Sequence, residues 1–391
     1  MLRSELLDNP SPLRGAIRAS PTGMRRCCRP IAIAFLVLLL GWGLATPPDP
    51  RGVPNGPIAG GTDDLTLFAA VTARVRHGED YYAVMGEELA TGGYPSGHVA
   101  NWRTPIYLTL HALAPTALHV ILIGIGVLVL AGTAQATRTA APEVMIGALL
   151  LQIGVVAALW KPAVATMPEP LAGALIALSV LVALRGWRVT SVVLGTAALF
   201  IRELAAPYVG IRFLLAVYRR EWREASGWAL SLSAYALFIL WHARHVYEAM
   251  PANASVHPIS WIQFGGMRFV LATVRSNAWL TGLPWWLTPI ALVTAIAGAM
   301  RSPLELRLPV FGYLAAFAVA GLPFNWYWGW VPGMLLPLAW ANFAEGLLLH
   351  IRRQSIWLKV PAGNGAGPLV KFATLRRVWH RPPAILRSRR F

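Results

Sequence analysis

Residues 116–134 read TALHVILIGIGVLVLAGTA, a run without Asp, Glu, Lys or Arg. A helix of about 20 apolar residues crosses the hydrocarbon core of a bilayer, so this run predicts a membrane-spanning helix. The whole chain of 391 residues is 56% hydrophobic and only 13% charged, which is too little polar surface for a soluble protein of this length. The sequence therefore predicts an integral membrane protein.

Further apolar segments predict an all-α polytopic membrane protein with about ten transmembrane helices. The other segments are 30–45, 144–160, 171–184, 189–201, 204–217, 227–241, 283–300, 308–322 and 331–349. We expect a membrane domain over 30–350, between a disordered basic tail at 1–29 and a basic tail at 351–391. The first segment also fits a signal peptide, but no convincing small-residue cleavage site follows it, so we expect an uncleaved anchor.

The net charge of +17 comes from Lys and Arg placed between the apolar segments. Cytoplasmic loops of membrane proteins are rich in these residues, so their alternation predicts the orientation. With an even number of spans, both termini lie in the cytoplasm and the basic residues contact anionic membrane lipids. No basic face with interleaved aromatics indicates nucleic acid. The basic positions are Arg138, Arg185, Arg188, Arg219, Arg220, Arg223, Arg301, Arg307 and the tail 352–390.

The first outer loop, residues 46–114, is long and contains most of the acidic residues. Residues 64–75 and 79–89 each predict a short amphipathic helix, and a third helix is predicted to begin at Pro105. Shorter segments are predicted on the same side. They are 161–170, the pair 202–203, 244–282 and 324–330.

Charged residues on the outer face are candidates for function, because ionisable groups near membrane depth are costly. The Arg202–Glu203 pair divides the apolar stretch 189–217, either as a structural ion pair at a helical hairpin or as part of a site. Glu169 either caps the next helix or meets an arginine. The candidates are Asp63, Asp64, Arg103, Lys161, Glu169, Arg202, Glu203, Arg244, Arg268 and Arg275.

Asp63 and Asp64 follow Gly60, Gly61 and Thr62 and begin a predicted helix. A carboxylate at that position caps the helix and is favoured by the helix dipole. Capping accounts for one of them but not easily for both. The other is suited to act as a general base that removes a proton from a hydroxyl nucleophile, and the sequence leaves open which one it is.

Other site types lack support. The outer histidines, His98, His242, His245 and His257, have no metal-ligand spacing, so neither a metal nor a cofactor is expected. No glycine loop of the nucleotide-binding type is present. The run FNWYWGW at 324–330 predicts an interfacial aromatic belt and, secondarily, a platform for a sugar ring or a prenyl chain.

The sequence combines an anchor, a long acidic outer loop with lateral helices, and many later spans. This combination resembles the polytopic glycosyltransferases of the C-type fold. The likeness is to the bacterial polyprenol-phosphate-mannose-dependent branch and its uncharacterised relatives, and it covers residues 30–350. The motifs that resemble this branch are DLTLF at 64–68, GEDYY at 78–82, NWRTP at 101–105 and RE at 202–203.

This resemblance implies an inner-membrane enzyme of the bacterial cell envelope. It would transfer a hexose or pentose, with inversion, from a polyprenyl-phosphate donor to a hydroxyl of a glycan, lipid or protein acceptor. Asp64 would be the general base, with Asp63 as the alternative. The implied ligands of the donor phosphate are Arg103, Arg202, Arg244, Arg268 and Arg275. The supporting residues are Glu169, Glu203, Tyr81, Trp102 and Trp326.

Two other functions stay open. A transporter or flippase would use intramembrane charges as a solute path and would show internal repeats, which the sequence does not display. A polysaccharide ligase would need outer arginines and a large late loop, for which 244–282 is suitable. If the glycosyltransferase hypothesis is right, Asp64, Arg103, Glu169 and Arg202 should line one cavity that opens to the outer face and to lipid.

Overall fold

The computed structural model describes residues 63–251, 266–321 and 323–358, together with the isolated positions 37, 38, 41, 45 and 254. Apart from those isolated positions, the tail 1–29, the anchor 30–45 and most of the tail 351–391 lie outside the described residues. The regular secondary structure of the described part is entirely helical, with no strand, which confirms the all-α class.

The α-helices are numbered here in chain order. They are α1 (Asp64–Arg76), α2 (Tyr81–Thr91), α3 (Pro105–Leu113), α4 (Pro115–Thr137), α5 (Pro142–Trp160), α6 (Pro168–Ala183), α7 (Arg188–Ile201), α8 (Ala206–Tyr218), α9 (Trp222–Ala249), α10 (Gly266–Val274), α11 (Ala278–Gly282), α12 (Leu287–Arg301), α13 (Leu304–Val319), α14 (Trp330–Gly333) and α15 (Leu336–Leu358). Short 3-10 segments lie between some of them, at Val99–Asn101, Pro162–Val164, Glu203–Ala205 and Pro323–Gly329.

The three short helices predicted for the first outer loop are present as α1, α2 and α3. Side chains define where the first two begin: Asp63 accepts the Thr66 N–H at 2.7 Å, and Asp80 accepts the Ala83 N–H at 2.9 Å. A cap of this kind satisfies a backbone donor that the first turn of a helix leaves free. The third helix has Pro105 in its first turn, where a missing N–H costs nothing. The apolar face of α1 packs against α2 and α3.

Nine longer helices, α4–α9, α12, α13 and α15, overlap the nine apolar segments predicted after residue 115. By length and composition, α4 and α5 can each cross a bilayer, and the segments Asn325–Gly333 and Leu336–Arg352, bent by 56°, can form a third crossing. These helices indicate a membrane protein. Within the described residues the other apolar helices are shorter or more polar, so the count of ten spans stays a prediction.

The last predicted segment, 331–349, is one difference from expectation, because the structure divides it into α14 and α15. Proline cannot donate a backbone hydrogen bond and clashes with the preceding turn, and Pro332 and Pro337 flank the break. The bend brings α14 against the first half of α6. All residues of α6 from Pro168 to Leu181 are buried, so α6 is the central helix of the bundle.

Charged contacts show which helix ends lie together. Arg185 contacts Gln135, Arg188 contacts Glu224, and Arg219 contacts Glu305. Together with the short connections between consecutive helices, these contacts bring the C-terminal ends of α4, α6 and α8 and the N-terminal ends of α7, α9 and α13 to one end of the bundle, which we call the basic end. Because α3 leads directly into the N-terminus of α4, the helices α1–α3 lie towards the opposite end, which we call the site end.

A close approach of α12 and α15 depends on Gly298. A Cβ at this position would collide with the backbone carbonyl of Ala339, and a backbone carbonyl cannot turn aside as a side chain can. We therefore expect Gly298→Ala to destabilise the protein by about 1–3 kcal/mol, in the range of overpacked cores. The measurement is the thermal unfolding midpoint of the purified protein in detergent.

The matched control is Gly124→Ala on the exposed side of α4, where a Cβ would meet nothing within 4 Å. That variant should be neutral or more stable by up to about 1 kcal/mol, because alanine is the better helix former. Equal midpoints for the two variants would contradict the close α12–α15 contact.

Candidate functional site

The two aspartates that the sequence could not separate have different surroundings. Asp63 is the N-cap of α1, where its Oδ1 accepts the Thr66 N–H. Asp64 instead accepts two tyrosine hydroxyls, from Tyr94 at 2.9 Å on Oδ1 and from Tyr327 at 2.5 Å on Oδ2. Capping thus occupies Asp63, and Asp64 is the half-buried carboxylate that faces other side chains.

The tyrosines come from distant parts of the chain. Tyr94 follows the turn after α2, in which Gly93 has φ +72°, a conformation that glycine adopts without strain. Tyr327 lies in the 3-10 segment Pro323–Gly329 and also accepts a hydrogen bond from the Asn325 amide at 3.3 Å. Burial and the Asp64 carboxylate raise the pKa of Tyr94, so its hydroxyl keeps its proton and donates to Asp64.

Arg103 lies beside this carboxylate. Its guanidinium stands 5.5 Å from the Phe68 ring, a cation–π contact, and its Nη1 is 3.9 Å from Glu203 Oε1. It also lies within electrostatic range of Asp64 and Glu169. The Arg103 side chain keeps 15% of its surface exposed. Its pairing with Glu203 is loose because the two atoms are 3.9 Å apart, and its buried Nε has no hydrogen-bond partner among the described residues.

Tyr81 and Trp102, two supporting residues implied by the resemblance, hold the backbone around Arg103. The Tyr81 hydroxyl donates to the Arg103 carbonyl at 2.7 Å. The buried Trp102 ring donates its Nε1–H to the Ser96 carbonyl at 2.9 Å and packs against Gly86 of α2. These contacts hold the backbone of Trp102 and Arg103 against α2, so the Arg103 side chain projects from a fixed loop.

Arg202 is enclosed below Arg103. Its backbone is extended, with φ −152°, so the chain breaks between α7 and the segment Glu203–Ala205. Its side chain is 1% exposed, with Nε 2.8 Å from Oε1 of the fully buried Glu169 and Nη1 in contact with Glu203. Glu169 therefore meets an arginine, one of the two alternatives left open by the sequence. The Glu203 side chain remains 42% exposed.

The structure thus brings Asp64, Arg103, Glu169, Arg202 and Glu203 into one cluster. Only part of this cluster is accessible. The expected cavity would have Glu169 and Arg202 on its surface, but both side chains are enclosed. The other members are partly exposed: the Glu203 and Arg103 side chains keep 42% and 15% of their surface exposed, and Asp64 is half-buried.

Three predicted phosphate ligands have other contacts. Arg244 pairs with Glu248 one turn along the exposed side of α9, at 2.8 Å, and Arg268 is exposed on α10. Arg275 donates to the carbonyls of Thr281 and Leu283 and lies 5.5 Å from the Trp285 ring, which closes the turn around α11. Within residues 63–251, 266–321 and 323–358, no hydrogen bond or ion pair joins these three arginines to the cluster of Asp64.

The aromatic run includes a candidate site residue, Tyr327, that sequence reasoning missed. The rings of Trp326 and Trp330 each lie 6.4 Å from the ring of Tyr327, so both pack beside the residue that bonds to Asp64. The prediction of an interfacial aromatic belt treats all residues of the run alike, so it gave no reason to single out one of them. The available signal was chemical, because Tyr327 is its one residue that can both donate and accept a hydrogen bond through a hydroxyl.

Metal ligands were not expected at this face. Of the four outer histidines, His257 lies outside the described residues, and His242 shares a hydrogen bond with the Tyr82 hydroxyl at 3.0 Å. In the described part of the chain, no three His, Cys, Asp or Glu side chains are grouped so that they could hold a metal ion.

Removing Arg202 should be costly. Arg202→Met keeps most of the side-chain volume but leaves Glu169 buried without its cation, and breaking a buried pair costs about 3–5 kcal/mol. We expect a clear fall in the thermal unfolding midpoint in detergent.

Arg244→Met is the matched control, since it removes an arginine from an exposed pair that water screens. It should leave the midpoint nearly unchanged. Similar midpoints for Arg202→Met and the wild type would show that Glu169 does not depend on Arg202.

Comparisons with protein-family models, with curated proteins and with solved structures found no match for this chain. The interpretation of the site therefore depends on its geometry and on the short motifs of the sequence.

Proposed function

We propose that this protein is a membrane glycosyltransferase, which transfers a hexose or pentose from a polyprenyl-phosphate donor to a hydroxyl acceptor on the outer face of a bacterial inner membrane. One observation carries the proposal. The half-buried carboxylate of Asp64, oriented by two tyrosine hydroxyls, lies within electrostatic range of Arg103, whose side chain keeps 15% of its surface exposed. A base and a phosphate-binding cation side by side are the two groups that transfer from a sugar phosphate requires.

Asp64 is assigned the role of general base. It takes the proton of the acceptor hydroxyl while that oxygen attacks the anomeric carbon of the donor sugar. The bond from this carbon to the phosphate oxygen breaks, and its electron pair leaves with the polyprenyl phosphate, which inverts the anomeric centre. A carboxylate has about four lone-pair positions, so the hydrogen bonds from Tyr94 and Tyr327 orient Asp64 and leave positions for a substrate proton.

Arg103 is assigned the role of binding the phosphate of the leaving group. Its planar guanidinium binds two phosphate oxygens at once, and its loose 3.9 Å pairing with Glu203 can be exchanged for a phosphate. Arg202 is in close contact with two carboxylates and holds Glu203, and through it Arg103, in place. The phosphate roles of Arg244, Arg268 and Arg275 remain predictions from the resemblance.

The membrane arrangement proposed here has ten spans with both termini in the cytoplasm. The arginines of the alternate connections support it, because those that make the contacts Arg185–Gln135, Arg188–Glu224 and Arg219–Glu305 lie together at the basic end. The cluster of Asp64 then faces the outer side. A prenyl chain would reach it from the lipid, past the aromatic run 324–330.

Topology can be tested with reporter fusions. Reporters fused after Arg138, Arg188, Arg223 and Arg307 should show a cytoplasmic position, since positively charged loops are retained there. Reporters within 46–114 and 244–282 should show the outer side. One inverted pair of results would contradict the ten-span arrangement.

The base can be tested with Asp64→Asn, which keeps the size of the side chain and removes its basicity. Tyrosine hydroxyls both donate and accept, so Tyr94 and Tyr327 can still bond to an amide and the variant should fold. We expect transfer from a polyprenyl-phosphate sugar, assayed in proteoliposomes, to fall by about a hundredfold or more, the scale of a positioned general base.

Asp63→Asn is the control beside it in the chain. Asparagine is as good an N-cap as aspartate, so this variant should transfer almost normally. An Asp64 variant with normal transfer would refute the assignment, and the reversed pair of results would move the base to Asp63. If the wild type moves a solute across the proteoliposome membrane and transfers no sugar, the protein is a transporter instead.

A further inference from the structure

An open cavity with a mostly apolar lining lies at the C-terminal end of α3. It has a volume of ≈ 370 Å³ and is lined by residues of the C-terminal end of α3, of the first turns of α4 and of the stretch from Pro162 to Ala165. This volume is at the small end of the range for ligand sites, about 300–1,000 Å³, so it suits a headgroup rather than a whole lipid. The residues of the Asp64 cluster do not line it.

The polar groups of this cavity favour an anion. His111 has a buried Nδ1 atom without a hydrogen-bond partner among the described residues, and His119 and Thr116 line the same space. No Asp or Glu is among the lining residues. Burial lowers the pKa of His111, and the nearby Arg76 lowers it further through its positive charge.

Arg76 reaches this corner from α1. Its Nε donates to the carbonyl of Ala112 at 3.2 Å, next to His111 in the chain. The first turn of α4 adds to the potential, since Ala114 provides no side-chain cap for its free N–H groups and the helix dipole is positive there. Two histidines and an uncapped helix start therefore line one small space, and Arg76 lies close to it without being part of its lining.

The position of the cavity indicates where its ligand comes from. The helix α4 is one of the two that can cross a bilayer alone, and its first turns form the cavity wall. Directly after His119, the residues Val120, Ile121 and Ile123 are 64%, 53% and 41% exposed. Apolar exposed residues of this kind contact acyl chains, so the cavity lies at the level of the lipid headgroups.

We propose that this cavity binds the phosphate group of a membrane lipid, with the acyl chains lying along the exposed apolar face of α4. His111, His119 and Thr116 donate hydrogen bonds to the phosphate oxygens, and Arg76 adds its charge. The proposal goes beyond the glycosyltransferase assignment and does not depend on it, because neither Asp64 nor Arg103 takes part.

The test is lipid retention by the purified full-length protein, measured by native mass spectrometry during titration with phosphatidic acid. The variant is His111→Gln combined with His119→Gln, which keeps polar side chains of similar length. We expect its apparent affinity to fall by about tenfold or more, the effect of losing charge-assisted hydrogen bonds. His77→Gln, which changes an exposed histidine at the end of α1, should bind as the wild type does.

Two further titrations distinguish the source of the phosphate. Diacylglycerol, which has the acyl chains without the phosphate, should bind weakly to the wild type and to both variants. Inorganic phosphate should compete only at far higher concentration than phosphatidic acid. Equal binding of phosphatidic acid by wild type and double variant, or of diacylglycerol and phosphatidic acid by the wild type, would overturn the proposal. Equally tight binding of inorganic phosphate would overturn the lipid as its source.

An unfolded double variant would also lose lipid, so its unfolding midpoint is measured alongside. Asp64→Asn should retain phosphatidic acid as the wild type does, whether or not it has lost sugar transfer. Loss of lipid in Asp64→Asn would place the bound lipid at the Asp64 cluster and refute the separate site.

Discussion

The site end of this protein depends on one buried cation. Arg202 has almost no exposed surface and lies between the carboxylates of Glu169 and Glu203. Moving a charge out of water costs several kcal/mol, so a buried guanidinium requires partners with close geometry. Glu169 provides one from the first turn of α6, and the extended backbone at Arg202 allows the other to come from the adjacent residue. The interruption of the helix between α7 and α8 thus lets Glu203 contact the Arg202 guanidinium and compensate its charge.

The rest of the cluster is built outward from this pair. Glu203 keeps one side of its carboxylate exposed, and Arg103 faces it from the loop before α3. Tyr327, which binds Asp64, then connects the first outer loop with the 3-10 segment Pro323–Gly329, across 263 positions of the chain. Arg202 and Glu169 are the enclosed members of the cluster, and Glu203 and Arg103 keep 42% and 15% of their side-chain surface exposed.

A buried ion pair is not by itself a sign of a site, as the basic end illustrates. Arg212 is also almost completely buried, with Nη2 2.6 Å from Glu224 Oε1, and the Trp228 indole donates to the same oxygen at 3.0 Å. This network joins α8 to α9, and the wide Trp228 ring covers the guanidinium. The accessible charges at this end pair with carboxylates or arginines of their own neighbourhood, Arg188 with Glu221 and Glu224, and Arg219 with Glu305. What distinguishes the site end is Asp64, a carboxylate whose described hydrogen bonds come from tyrosine hydroxyls and not from a cation.

Much of the fold was predictable from the sequence, since the apolar runs between 116 and 349 mark the longer helices and Asp63, Asp80 and Pro105 mark where short ones begin. Such features are local, because a helix is decided by the hydrophobicity of consecutive residues and by the hydrogen bonds of its first turn. The candidate charges Asp64, Arg103, Glu169, Arg202 and Glu203 could also be recognised, because each is unusual in an apolar chain.

Only the tertiary structure separated the roles of these residues. Whether Asp63 or Asp64 faces the site, whether Arg103 or Arg202 is accessible, and that Tyr327 binds Asp64 all depend on contacts between elements far apart in the chain. Hydrophobic periodicity carries no information on such contacts, because any apolar helix packs against many others with similar energy. The packing of α6 at the centre, and the buried charge of Arg202 that it encloses, decided them.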